Sequence, residues 1–157
     1  MTGKVAQAHL TYLVRRVEIS DAARVQALER ECFPDPYPAY LLDDLIKNER
    51  EHFFVAVDSG EIVGYSVASA TGREGHVVSV AVHPSHRRQG IGTDLVSTVL
   101  RELAKDGVTG IHLEVRIGNV AAISFYERLG FQARSQMKGY YADGEDALVM
   151  RKTVTGF

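Results

Sequence analysis

The sequence predicts one mixed α/β domain, on three observations. Short β-rich apolar runs alternate with helix-period segments in the order β-α-α-β-β-β-α-β-α-β-β. Between residues 76 and 116 a strand, a glycine-bearing turn, a helix and a second strand follow one another as a parallel βαβ crossover. Hydrophobic residues make up 45% and charged residues 24% of 157 positions, enough to bury a core in a single domain spanning 1–157.

The segment TYLVRRVEI, residues 11–19, reads as a first strand. Ser20 or Asp21 then caps the helix AARVQALEREC, whose apolar residues recur at helical spacing. FPDPYPAY carries three of the four prolines and must be irregular. AYLLDDLIKN is a short second helix, and HFFVAVDSGEIVGYSVAS a hairpin turning at Asp58-Ser59-Gly60. GHVVSVAVHP is almost continuously apolar and is expected to be a strand buried on both faces. A helix runs from about Gly90 to Lys105, with Ile91, Leu95, Val99 and Leu103 along one side and Gly107 ending it. GIHLEVR is a further strand, and Asn119 caps the helix VAAISFYERLG. FQARSQMKGYY and EDALVMRK close the fold as two strands joined through Ala142-Asp143-Gly144.

A formal net charge of -2 argues against a whole-surface nucleic-acid binder but not against a local basic patch. The single cysteine, Cys32, excludes an intramolecular disulfide and fits a reducing compartment; it reads as packing. The opening MTGKVAQAHLTYLV lacks the apolar stretch of a secretory leader. No apolar run approaches the roughly 18 residues of a membrane span. A cytoplasmic protein without membrane or nucleic-acid partners is expected.

HPSHRRQGIG, residues 83–92, lies between a strand end and a helix N-terminus, where ligands of open α/β sheets bind. Unpaired N–H groups and the helix dipole favour an anion there. Gly90 and Gly92 admit phosphate oxygens close to the backbone, and Arg87 and Arg88 add fork-shaped donors. A pyrophosphate suits such a loop. A Walker loop is excluded, since Gly92 is followed by Thr93-Asp94 without a lysine. A dinucleotide fingerprint is excluded too, since Leu95 stands where its third glycine belongs. A plain basic turn starting a helix is the other reading of these residues.

Arg87-Arg88-Gln89-Gly90-Ile91-Gly92 matches the R/Q-x-x-G-x-G/A pattern. On that loop, its preceding strand and the element order, the chain resembles the GNAT acetyltransferase superfamily, whose loop cradles the pyrophosphate of acetyl-coenzyme A. LEVRIGNVAAISFYERLGF, with GHVVSVAV and KGYYADGEDALVM, is similar to protein N-terminal α-amine acetyltransferases of archaeal, eukaryotic and bacterial ribosomal-protein type. The likeness runs from about residue 14 to 152. It implies a GNAT fold: a mixed central sheet of about seven strands, splayed at the middle, with about four helices around it. It implies acetyl transfer from acetyl-coenzyme A, the co-substrate, directly onto a free N-terminal amine, with no metal. A small-amine or lysine N-acetyltransferase, or a non-catalytic acetyl-coenzyme A-binding module, are the alternatives. Protein or peptide N-termini are the implied partners, and association with a ribosome or an auxiliary subunit is within the resemblance.

By the same resemblance the coenzyme meets the main chain of Val80 and Val82, the loop Arg87, Arg88, Gln89, Gly90, Gly92 and Thr93, and the side chains of Asn119 and Tyr126. Acetyl transfer to an amine requires proton removal, and a protein α-amine, with a pKa of about 7.7–8.0, asks only for a modest base. Glu114 is the candidate base, because it matches the LEVR glutamate of the bacterial enzyme. Strand alternation puts His112, Glu114 and Arg116 on one face, so pairing to a nearby arginine is the other reading of Glu114. Tyr126 is the candidate acid toward the leaving thiolate, or else a core tyrosine beside Phe125 and Leu129. His76 opens its strand as a second base acting through water, or as a strand-end histidine. His83 and His86 lack a carboxylate or cysteine to complete a metal set.

Phe33, Pro34 and Asp35 are implied as the pocket for the first acceptor residue, with Tyr37 beside them. Tyr140 and Tyr141 are implied to bond the peptide backbone. Phe33-Pro34-Asp35 mixes the features of relatives that take small first residues with those of relatives that take methionine. Asp143, Glu145 and Asp146 are expected to lend the acceptor side a negative field.

Overall fold

A computed structural model of the chain describes residues 11–154. Met1 to Leu10, most of the segment read for a leader, lie outside the described residues. The elements are β1 (Tyr12–Arg16), α1 (Ala22–Cys32), α2 (Ala39–Lys47), β2 (His52–Asp58), β3 (Glu61–Thr71), β4 (Glu74–Val82), α3 (Ile91–Lys105), β5 (Gly110–Arg116), α4 (Val120–Arg128), β6 (Gln132–Met137) and β7 (Ala147–Thr153). The predicted order holds throughout.

The seven strands form one sheet in the order β1-β2-β3-β4-β5-β7-β6. Every pairing is antiparallel except β4 with β5. That pair is joined only at Glu74↔Gly110, Gly75↔Ile111 and His76↔His112. Beyond His76 the two strands part, while β4 stays paired to β3 as far as Val82 and β5 to β7 as far as Arg116. The sheet is therefore splayed at its middle, as expected.

Helices α1 and α2 bury Val25, Leu28, Leu42 and Ile46 on one face against Phe53, Val55, Tyr65 and Val67. Helix α3 buries Val99 and Leu103 on the other, over Val77, Ile111 and Leu113, and partly buried residues of α4 pack there too. Each such fully buried aliphatic or aromatic side chain contributes about 1.5–3 kcal/mol. The β2–β3 hairpin turns as predicted, with Ser59 and Gly60 both at positive φ (52° and 80°).

One local expectation is met in part and another is corrected. Strand β4 adds residues to the cores on both faces but is fully buried only at alternate positions: Gly75, Val77, Ser79 and Ala81 are buried, His76, Val78, Val80 and Val82 half-buried. A bulge in the β3 pairing between Ser79 and Val77 turns the strand. Ala81 packs with the α1/α2 core, whereas Val77 packs with the α3 core. Helix α1 is not capped by a Ser20 or Asp21 side chain. Asp21 precedes α1 without a side-chain cap bond and instead closes a 3-10 turn (Ile19–Asp21), accepting from Glu18 N at 2.8 Å. It also takes both Nη groups of Arg15, at 2.8 and 3.0 Å. A bidentate guanidinium outcompetes a single helix N–H for the carboxylate.

Candidate active site

The opening between β4 and β5 exposes main chain. His83 N donates to Val63 O at 2.8 Å, so Ala81 and Ser79, two and four residues back, also direct their main chain to β3. Val80 and Val82 therefore direct their N–H and C=O away from β3, toward the opening. The Val82 carbonyl accepts from Arg87 Nε at 3.0 Å and from Cys32 Sγ at 3.7 Å. Cys32 is half-buried, and burial, ahead of its acidic neighbours, pushes its thiol up.

At the last paired rung stands a cluster of histidines and carboxylates. His76 Nε2 lies 2.8 Å from Glu114 Oε1. His112 Nε2 lies 3.7 Å from Glu114 Oε2, and the two imidazoles stack at 4.6 Å and 7°. Among the described residues Glu114 pairs with histidines and with no arginine. Burial pushes the Glu114 carboxyl up, but the His76 hydrogen bond and the His76 and His112 charges outweigh it and hold the carboxyl below its usual range. It is therefore ionised at neutral pH. His76, His112 and Glu114 have ligand atoms within 4.8 Å of one another. Their rings are parallel, however, so the in-plane lone pairs do not converge on one point as a metal would require.

The loop before α3 has the shape the glycines predict. Arg88 and Gly90 both take positive φ, 64° and 84°. Gly90 precedes the first turn of α3, with Asp94 N donating back to Gly90 O at 3.0 Å. A Cβ on Gly92 would sit 3.3 Å from Phe125, so this glycine lets α3 approach α4. Gln89 and Thr93 flank the same helix start. Asn119 caps α4 through Oδ1, accepting from Ala122 N at 3.1 Å. The bare helix start, the exposed Arg88 side chain and the space around Gly90 fit a pyrophosphate.

Tyr126 lies on α4, packed edge-on against Phe125 and Phe131 at 5.0 and 5.7 Å. Burial pushes its hydroxyl well up, so it keeps its proton. Leu113 and Val115 face the cluster that Tyr126 joins, and Glu114 alternates to the opposite face. The candidate base and candidate acid thus lie on opposite sides of the opening.

The two acceptor segments meet. Asp35 Oδ2 accepts from Ala142 N at 3.2 Å. Tyr37 OH donates to Val78 O at 3.4 Å. Phe33 packs partly buried on the α1/α2 core. Pro34 lies between Phe33 and Asp35 in the same irregular stretch. Tyr140 and Tyr141 stack edge-on at 5.0 Å, and the Arg116 guanidinium covers the Tyr141 ring at 4.2 Å. Burial pushes Tyr37 and Tyr141 up to about 12, with Glu114 a further cause for both. The expected negative field is reduced: Asp143 and Glu145 both accept from Arg116 Nη1, at 2.9 and 2.8 Å. Asp146 accepts from Gly139 N at 2.9 Å. These carboxylates build the loop.

Two groups escaped the sequence reading. Glu29, 2% exposed, accepts from Tyr65 OH, from Ser79 Oγ at 3.2 Å and from Tyr37 N at 2.9 Å, and so anchors the acceptor loop. Its signal was an acid four residues after Val25 on the buried stripe of α1. His112 was placed on the Glu114 face but given no part.

Residues 22–131 match the Acetyltransferase (GNAT) family. An N-alpha-acetyltransferase of Saccharolobus solfataricus is 34% identical over 154 residues, covering 90% of this chain and 92% of its own. The crystal structure of Ard1 from Thermoplasma volcanium superposes with a TM-score of 0.89 at 28% identity, over 94% of this chain and 100% of that one. The ribosomal-protein-S18-alanine N-acetyltransferase from Escherichia coli superposes with a TM-score of 0.84 at 29% identity, over 93% and 96%. With the splayed β4–β5 junction and the arginine-glycine loop beside it, these likenesses place the chain in the GNAT acetyltransferase family.

Proposed function

We propose that this chain acetylates the free N-terminal α-amine of proteins or peptides, with acetyl-coenzyme A as co-substrate. One observation carries the reading: the Glu114–His76 pair stands where β4 and β5 part, on the face opposite Tyr126. The coenzyme supplies the activated acetyl group. The loop of Arg87, Arg88, Gln89, Gly90, Gly92 and Thr93 holds its pyrophosphate, and Asn119 flanks its arm. The Val80 N–H, directed to the opening, is the donor to the thioester oxygen. Glu114, ionised and bonded to His76, receives the acceptor's proton from one side. Tyr126, still protonated, donates to the departing sulfur from the other. Phe33, Pro34, Asp35 and Tyr37 seat the first residue, and Tyr140 and Tyr141 hold the peptide backbone.

Names of similar proteins support the same reading, since an archaeal relative is an N-alpha-acetyltransferase and a bacterial neighbour acts on ribosomal protein S18. Among the described residues no helix is long and apolar enough to cross a membrane. A single cytoplasmic catalytic domain, working near ribosomes or with an auxiliary subunit, completes the proposal.

The test is coenzyme A release with peptides starting Ser, Ala, Met-Leu and Met-Glu, beside blocked peptides carrying an internal lysine. Turnover confined to free N-termini is expected. Turnover confined to blocked peptides moves the activity to lysine, and coenzyme binding without turnover on any peptide overturns the reading.

A further inference from the structure

His112 lies among ionisable groups of three strands. On its own strand, Glu114 Oε2 lies 3.7 Å from its Nε2. From β4, Glu74 Oε2 lies 2.7 Å from its Nδ1, and the His76 ring stacks on it at 4.6 Å. From β7, its cross-strand partner Arg151 grips both Glu74 oxygens, at 2.7 and 2.9 Å. Arg151, Glu74, His112, Glu114 and His76 thus form one chain of alternating partners running from the outer end of the paired rungs to the opening. On the acceptor side the base faces Tyr37, Tyr140 and Tyr141, all pushed up by burial and so neutral in the working range.

An ionised carboxylate only accepts, so His112 Nδ1–H donates to Glu74, whose carboxyl Arg151 holds below its usual range. The ring's other nitrogen is thereby aimed at Glu114. When protonated, the ring sets an N–H against each of two carboxylates. A cation in that place stabilises ionised Glu114, and it repels a positive charge on the parallel His76 ring.

We propose that His112 is a positioning residue for the Glu114–His76 base: anchored by Glu74 and Arg151, it keeps Glu114 ionised and turned to His76, so that the pair still accepts a proton at lower pH. This rests on Glu114 and His76 being the base. Neither a coenzyme contact nor an acceptor contact is assigned to His112, so its removal acts through the pair.

The experiment is the pH profile of kcat at saturating acetyl-coenzyme A and peptide, which reports groups in the substrate complex. In His112→Gln the Glu114 carboxyl loses the His112 contribution that lowers it, so the acidic limb moves to higher pH, by about 0.5–1 unit, with coenzyme KM unchanged. His112→Lys, a lasting cation, brings the limb back. Glu74→Gln moves it the same way but less, because His112 loses its anchor. A direct effect of the Glu74 charge on the pair has the opposite sign. An unmoved or lowered limb in His112→Gln overturns the proposal, and if that variant folds poorly Glu74→Gln decides by its sign. Full kcat in Glu114→Gln overturns the base and this inference with it. Loss of kcat there, with an unmoved limb in His112→Gln, overturns only the role of His112.

Discussion

Asp35 and Ala142, 107 residues apart, join the two segments that flank the acceptor side: the Asp35 carboxylate accepts the Ala142 N–H at 3.2 Å. One end of this bond is in the proline-rich loop after α1, the other in the turn after the tyrosine pair. Asp35→Ala frees both. Such an exposed, charge-assisted bond is worth about 1 kcal/mol, so a peptide KM raised about three- to tenfold is expected, with coenzyme KM unchanged. Steady-state kinetics with each substrate varied in turn checks it. Equal changes in both KM values argue for a global disturbance.

Glu114 is bonded to His76 where β4 and β5 part. Glu114→Gln keeps the volume and a hydrogen bond to His76 but removes the proposed proton acceptor. A fall in kcat of about 10²–10⁴ is expected, with coenzyme affinity little changed. Single-turnover rates with a saturated coenzyme site separate that loss from slower product release.

Tyr126→Phe removes one oxygen and keeps the packing on Phe125 and Phe131. If the hydroxyl serves the departing sulfur, kcat falls about tenfold to a hundredfold while the melting temperature holds. Unaltered kcat assigns Tyr126 to packing alone.

How much of this was legible depended on whether local chemistry or long-range pairing set the outcome. The Ser59-Gly60 turn, the Asn119 cap and the alternation of GIHLEVR follow from local residue preferences, and all three are found. The loop through Gly90 was legible because backbone at positive φ favours glycine. Asp21 was misread because its partner Arg15 sits on another element, so a cap rule saw only the helix. The apolar run of β4 could not reveal that its neighbour strand leaves after His76. For Glu114, residue type gave the face but not the partner: the histidine at its side lies 38 residues earlier, on β4. Glu29 stayed hidden for the same reason, its donors being spread over β3, β4 and the acceptor loop.

Arg88 occupies a backbone region, φ 64°, that costs a non-glycine residue about 1 kcal/mol. Arg88→Gly relieves the backbone and removes the guanidinium. The melting temperature is expected to hold or rise by about 2–4 °C, while coenzyme affinity falls about tenfold. Calorimetry with and without coenzyme A measures both. A fall in both quantities instead gives Arg88 a stabilising role in the loop itself.

Asp21 predicts how acid weakens the fold. The Arg15 hydrogen bond holds its carboxyl below the ordinary range, against the opposing push of burial. A depressed carboxyl binds its proton less readily when folded than when unfolded. Its contribution is therefore complete above the unfolded value of about 3.9 and is lost as pH falls through the folded value. Asp21→Asn keeps a hydrogen-bond acceptor but loses the charge opposite Arg15. At neutral pH it is expected to destabilise by about 1–2 kcal/mol, since Arg15 is only partly screened by solvent. The gap to the unsubstituted protein then narrows as pH drops below about 4, where the unsubstituted carboxyl also begins to protonate. Urea melts at neutral pH and at successively lower pH measure that gap directly. A constant gap across the series assigns the loss to geometry in the Glu18–Asp21 turn and not to the Arg15 ion pair.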